Sequence, residues 1–143
     1  MITMMCSLFH PGLLLIIFGL LIPFFQGFKR TLFILSVPCI SLFTILSMSF
    51  GNDCTFQYLY YELILINLDT LSRLFSTVFV ITVFTVAFFC YKQTSSTELS
   101  AAYVYAGAAV SVVLAGDMIS LFVFWELMAL ASTLLIWSSK NEK

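Results

Sequence analysis

Glu126 is the one side chain in this sequence whose type and position call for a chemical explanation. It lies in Leu121-Phe122-Val123-Phe124-Trp125-Glu126-Leu127-Met128-Ala129-Leu130, and from Met118 to Trp137 no other side chain ionises. As a helix rising about 1.5 Å per residue, that run is about 30 Å long, the thickness of a bilayer's hydrocarbon core. Glu126 then sits roughly 12 Å in from the Met118 end. A charge at such depth costs about 2.5–3.5 kcal/mol on insertion scales, so an acid there is a candidate functional group. The chemistry open to it is proton exchange. Low dielectric favours a neutral carboxyl, and a nearby cation favours the charged one. Bond-making acid–base catalysis usually needs a second positioned group, and the sequence offers none. Ser-His-Asp arrangements and Gly-rich phosphate loops are also missing.

The other ionisable residues invite plainer roles. Asp117, in the tight turn Gly116-Asp117, is expected to cap the helix that follows, with a relay role as the alternative. Asp69 is expected to be the N-cap of the third apolar segment, which starts there, with a part in an outer proton pathway as its alternative. Asp69 and Arg73 are four residues apart, so on a helix they share a face and can pair. Trp125 is about 100° round the helix from Glu126, which suggests packing. His10 precedes Pro11 and is expected at the membrane boundary. Cys6, Cys39, Cys54 and Cys90 form no C-x-x-C pair, so no metal site or cofactor is expected. Cys39 and Cys90 read as small apolar side chains inside spans, whereas Cys54 falls in a loop.

The elements that must position Glu126 follow from composition. Of 143 residues, 62% are hydrophobic and 9% charged, against about 25% charged in soluble domains. So few polar side chains cannot cover a water-facing surface, and an all-α integral membrane protein is expected. A β-barrel would alternate polar and apolar residues. These runs are apolar on every face, and no basic run points to nucleic acid. No Lys or Arg precedes the first run, so a signal peptide is not expected.

One membrane domain of five spans over residues 1–143 is expected, at about 8–28, 31–50, 71–91, 99–115 and 118–137. Pro11 suits a helix start, and Pro23 falls near the far end of that span, where it can kink it. Pro38 predicts a kink in the second span, with Ser36 and Ser41 near enough to satisfy the freed backbone groups. Gly51-Asn52-Asp53 is turn chemistry. Cys54 to Leu68, with Tyr58, Tyr60, Tyr61 and Glu62, is too polar to span and reads as an interfacial loop with an extended piece. Lys92 to Glu98 reads as a polar linker and Ser138 to Lys143 as a polar tail. The fourth span is dense in small residues, including Ala101, Ala102, Ala106, Gly107, Ala108, Ala109 and Ser111. That composition suits a helix wedged inside a bundle, and Gly116-Asp117 forces the fifth span back beside it. Lys29, Arg30, Lys92, Lys140 and Lys143 fall on one side of this arrangement and Arg73 on the other. By the positive-inside rule the N-terminus is outside and the C-terminus cytoplasmic.

With these residues in place, Leu121-Phe122-Val123-Phe124-Trp125-Glu126-Leu127-Met128 resembles the signature of proton-translocating antiporter-like membrane subunits, found in respiratory complex I and in Mrp-type cation/proton antiporters. Asp117 and Trp125-Glu126 take the signature's turn acid and Trp-Glu. Asp69-Thr70-Leu71-Ser72 looks like the family's Asp-x-Leu-Ser entry to its third helix, and Tyr105-Ala106-Gly107 with Ala115-Gly116-Asp117 also fits. Ala131-Ser132-Thr133-Leu134-Leu135-Ile136-Trp137 looks more like the Mrp subunit-D branch, since complex I members more often carry Tyr in place of Thr133. The resemblance covers Asp69 to Trp137 well and the first two spans in topology only.

It implies that Glu126 lies on the fifth helix and pairs with a lysine on a later, broken helix, in a bacterial inner membrane or the mitochondrial inner membrane. The sequence departs from the family there. It stops at Lys143, and no lysine lies within its spans. It therefore reads as one piece of a split subunit, a truncated relic or part of a longer product. The partners implied are the lipid bilayer and other membrane subunits, including one carrying the later helices and their lysines. Two function classes stay open: an ion-translocating subunit of an antiporter or NADH:quinone oxidoreductase, and a non-transporting relic, scaffold or assembly protein.

Overall fold

The computed structural model describes residues 10–49, 54–58, 61–90 and 95–140. Helix α1 (Pro11–Leu21) runs into a 3-10 turn (Ile22–Phe24), then α2 (Phe28–Ser47) follows. Strands β1 (Cys54–Tyr58) and β2 (Tyr61–Ile66) come next, then α3 (Thr70–Cys90), α4 (Ser96–Leu114) and α5 (Met118–Lys140). Helices α2 to α5 are each long and apolar enough to cross a membrane. The first is shorter than the expected 8–28 span. It tightens at Pro23, which falls in the 3-10 turn rather than kinking a longer helix, and the chain turns at Gly27 before α2. The expected 99–115 helix starts earlier, at Ser96, because Ser95 caps it by accepting the Glu98 N–H at 3.3 Å. That absorbs part of the expected linker, while residues 91–94 lie outside the described ones. The helix expected at 118–137 continues to Lys140, into the expected polar tail.

Helix α4 is the centre. Half of its apolar window is buried, against 28% for α2 and 17% for α3 and for α5. It packs on α1, α3 and α5, and α2 closes the far side against α1 and α3. Its small residues are the cause, as expected. A Cβ on Gly107 would stand 2.6 Å from the Gly12 carbonyl oxygen and 2.8 Å from the Ile16 nitrogen, both rigid backbone atoms. A Cβ on Gly12 would in turn strike Ser111 Oγ. Two glycines thus bring α1 and α4 to backbone contact. The main core gathers Leu15, Ile34, Val37, Val80, Leu99, Tyr103 and Leu114. A smaller cluster of Ile16, Val104, Ala108 and Ala131 seats α5 on α1 and α4.

Pro38 does not break α2, which is continuous through it. Proline's missing N–H leaves the carbonyl four residues earlier unbonded. That carbonyl is Ile34's, and the Tyr103 hydroxyl of α4 donates to it at 2.6 Å. The serines expected to help are used elsewhere: Ser36 donates to Phe33 O and Ser41 to Pro11 O.

The stretch read as an interfacial loop is an antiparallel hairpin, with Thr55 opposite Ile64 and Tyr58 opposite Tyr61. Residues 59 and 60 are outside the described ones, as is Gly51-Asn52-Asp53, and of Tyr58, Tyr61 and Glu62 only the backbone is described. The β-branched run dictates the strand, and burying Ile66 and Leu68 anchors it on the helices.

Candidate functional site

Glu126 lies on the side of α5 turned away from the bundle. The buried face of α5 is Ser120, Phe124 and Ala131, at 4%, 6% and 2% exposure, with Leu127 and Leu135 half-buried between and beyond them. Residues advance about 100° each, so Glu126 points about 200° from Phe124, and it is exposed. Its neighbours on that face are Phe122, Val123 and Leu130, all more than half exposed. Thr133, one heptad on, spends its hydroxyl on the Ala129 carbonyl at 3.0 Å. The outer face of α5 is therefore an apolar strip with one carboxyl in it. Trp125, expected to pack, also faces outward at 56% exposure. Its position between Phe124 and Glu126 leaves it on the rim, where α1 and α4 do not reach.

Two apolar grooves run along the helices. One of about 610 Å³ lies between α3, α4 and α5, walled by Phe79, Tyr105, Ala106 and Met128. The other, about 480 Å³, lies between α1, α4 and α5, with Ile16, Val104 and Leu134 among its walls. Glu126 lines neither, so the carboxyl addresses the surroundings of α5, not an internal cavity.

Asp117 and Asp69 are caps, as expected. Asp117 Oδ1 accepts the Ile119 and Ser120 N–H groups at 2.8 Å each, the N-cap of α5. Its Oδ2 accepts the Ser120 hydroxyl and, from the hairpin, the Ile64 N–H, both at 2.7 Å. Burial pushes this carboxyl up, but the bonds from Ser120, Ile64 and Ile119 outweigh that and hold it below the ordinary carboxylate value. Asp69 and Ser72 bond reciprocally across the start of α3: Asp69 Oδ1 accepts the Ser72 N–H at 2.6 Å and Ser72 Oγ accepts the Asp69 N–H at 2.9 Å. Bonds from Ser72 hold Asp69 below its ordinary value. The Arg73 guanidinium, expected to be within reach of Asp69, donates to the Leu46 carbonyl at the end of α2. Glu126 and Asp117 do not come together. Nine residues separate them, about 14 Å along the helix and about half a turn round it.

The sequence reading of His10 is corrected by the structure. It stands at the start of α1, but its ring is fully buried in protein rather than exposed. Its Nδ1 accepts the Gly12 and Leu13 N–H groups at 3.2 and 3.3 Å, capping α1. That leaves the ring proton on Nε2, which reaches the Leu65 carbonyl at 3.2 Å. The ring also packs on Phe124, centroids 5.8 Å apart. The available signal was His-Pro-Gly: the residue ahead of a proline in the first helical position stands in the N-cap slot. Cys39 and Cys90 lie in α2 and α3 as expected, exposed and half-buried.

The described residues thus form a bundle of apolar helices with one outward-facing mid-helix carboxyl and a hairpin closing one end. No known protein family, curated protein or solved structure matches the chain.

Proposed function

We propose that this chain is a membrane subunit, or a part of one, of a monovalent cation/proton antiporter or a proton-pumping NADH:quinone oxidoreductase, in which Glu126 exchanges protons. The observation that carries this is the outward placement of Glu126 in the middle of a membrane-length helix. Facing lipid, that carboxyl costs several kcal/mol when charged. Facing a partner helix that carries a cation, it is stabilised in its charged form, and its protonation follows the cation's position. The outer face of α5 is then the seat of a membrane partner bearing lysines at mid-depth. The resemblance of Phe124-Trp125-Glu126-Leu127-Met128 and Asp117 to antiporter-like subunits supports the same assignment.

The orientation belongs to this proposal: N-terminus outside, C-terminus cytoplasmic, hairpin outside. The test is transport. In the assembled complex, Glu126→Gln should insert and assemble normally yet lose most ion transport, since Gln keeps shape and polarity but cannot exchange a proton. The chain alone, in sealed vesicles, should show no proton or sodium flux. Flux from the isolated chain, or full transport by the Gln variant, would overturn the proposal.

A further inference from the structure

Helices α1 and α5 both pack on α4, and the groove of about 480 Å³ runs between them. Its floor is one face of α4: Thr97, Ser100, Ala101 and Val104, spaced three and four residues apart. Ile16 and Leu20 of α1 wall one side, and Leu127, Leu134 and Trp137 of α5 the other. Ala101 and Val104 are buried beneath, at 7% and 8% exposure, while Leu20, Leu134 and Trp137 form an open rim. Spread over the roughly 16 Å of helix from Leu127 to Ser138, that volume is about 6 Å wide. A helix with its side chains needs about 10–12 Å. A hydrocarbon chain, about 4 Å thick at van der Waals contact, fits.

The groove is apolar except at one end. Ser100 lines it there and is 8% exposed. Its hydroxyl, which has no hydrogen-bond partner among the described residues, opens into the groove. Other helix hydroxyls donate to the carbonyl four residues back, as those of Thr44, Ser76, Thr82, Ser111 and Thr133 do. A buried hydroxyl without a partner is costly, so Ser100 calls for an acceptor from outside the chain. It stands about 6 Å inside the start of α4, at the end of the bundle away from the hairpin, which bonds the α4–α5 turn at Gly116. Across the groove is Trp137, a side chain that favours the level of lipid headgroups. The ester carbonyls of phospholipids lie at that same boundary.

We propose that this groove holds one acyl chain of a membrane phospholipid, with the ester carbonyl of that chain accepting the Ser100 hydroxyl. The chain lies against Ala101, Val104 and Leu134 and fills the cleft between α1 and α5. The second acyl chain and the headgroup stay in the surrounding leaflet. The larger groove beside α3 has no such end: its Thr82 and Tyr103 hydroxyls are bonded to Val78 O and Ile34 O, and its Tyr105 is exposed. Glu126 lies outside the groove, so the proposal stands apart from what that carboxyl does.

The test adds dioleoylphosphatidylcholine to the full chain in detergent and measures bound lipid by native mass spectrometry. One lipid should stay bound to each chain. The diether analogue, identical but for the missing carbonyls, should bind roughly threefold more weakly, the value of one membrane hydrogen bond. Ser100→Ala should weaken the ester lipid by the same factor and leave the ether lipid unchanged, because both changes remove one and the same bond. Ala101→Leu should fill the groove and displace the lipid, whereas Ala106→Leu, in the wall of the larger groove, should keep it. Should Ala101→Leu fail to fold, the comparison of ester with ether lipid on the unaltered chain decides alone. The proposal is overturned if ester and ether lipids bind alike to that chain, if Ser100→Ala weakens both equally, or if a folded Ala101→Leu chain keeps its lipid. Dimers that Ala101→Leu disperses would also overturn it, by giving the groove to a second copy of the chain.

Discussion

A single proline sets a residue-scale problem that another helix solves. Pro38 orphans the Ile34 carbonyl, and Tyr103 answers it from α4. An unsatisfied buried acceptor costs about 1–3 kcal/mol, yet interhelical hydrogen bonds in membranes average nearer 0.6 kcal/mol. The lower figure governs here, because a chain unfolded within the membrane also finds partners for its polar groups. Tyr103→Phe should therefore destabilise the chain by about 0.6 kcal/mol. Pro38→Ala restores the intrahelical donor, so in that background the Phe substitution should cost nearly nothing. A thermal unfolding cycle in detergent measures the difference, and equal costs in both backgrounds would sever the link between Pro38 and Tyr103. The sequence carried half of this. Pro38 advertises a freed carbonyl, but a hydroxyl 69 positions away has no local signal. The same division holds for the caps. Asp69 and Asp117 are legible because their partners lie within three residues. His10 was not, since its burial comes from Leu65 and Phe124.

For the elements, α4 is the helix on which the others are assembled, and its small side chains made that visible beforehand. Gly107 is the tightest point because the atoms it meets belong to the backbone of α1 and cannot turn aside. Gly107→Leu should abolish packing of α1 on α4, far beyond the 1–3 kcal/mol typical of an overpacked core site. Leu121→Ile, on the half-buried flank of α5, should be tolerated. Yield and monodispersity after detergent extraction compare the two, and equal tolerance would contradict the close crossing. Two features of the elements were not legible. The outward direction of Glu126 depends on which side of α5 meets α1 and α4, and an apolar helix hydrophobic on all faces does not say. The length of α1 depends on the 3-10 turn at Pro23, where composition alone continues the apolar run.

At the scale of the molecule, α1 with its 3-10 turn covers about 14 residues, too short on its own for a typical span of about 20. It nonetheless runs beside α4 from Ser111, at Gly12, to Ser100, at Gly19, and strand β2 meets its start at His10. We expect α1 to cross with that help. Tags at the N-terminus and near Asn52 should then report the same side, and a tag after Lys143 the cytoplasm. If α1 does not cross, the N-terminal tag will report the side opposite Asn52. Protease protection in sealed vesicles reads all three.

The hairpin's fastenings also bear on how the chain enters a membrane. His10 meets Leu65 across 55 positions, and Ile64 meets Asp117 across 53. The first helix leaves the ribosome early, and its principal neighbour is synthesised some eighty residues later. Until then its short apolar stretch has little to retain it, and the two glycines that give it a close crossing have nothing to meet. The contacts that seat the first segment are thus completed only when the Gly116-Asp117 turn meets strand β2.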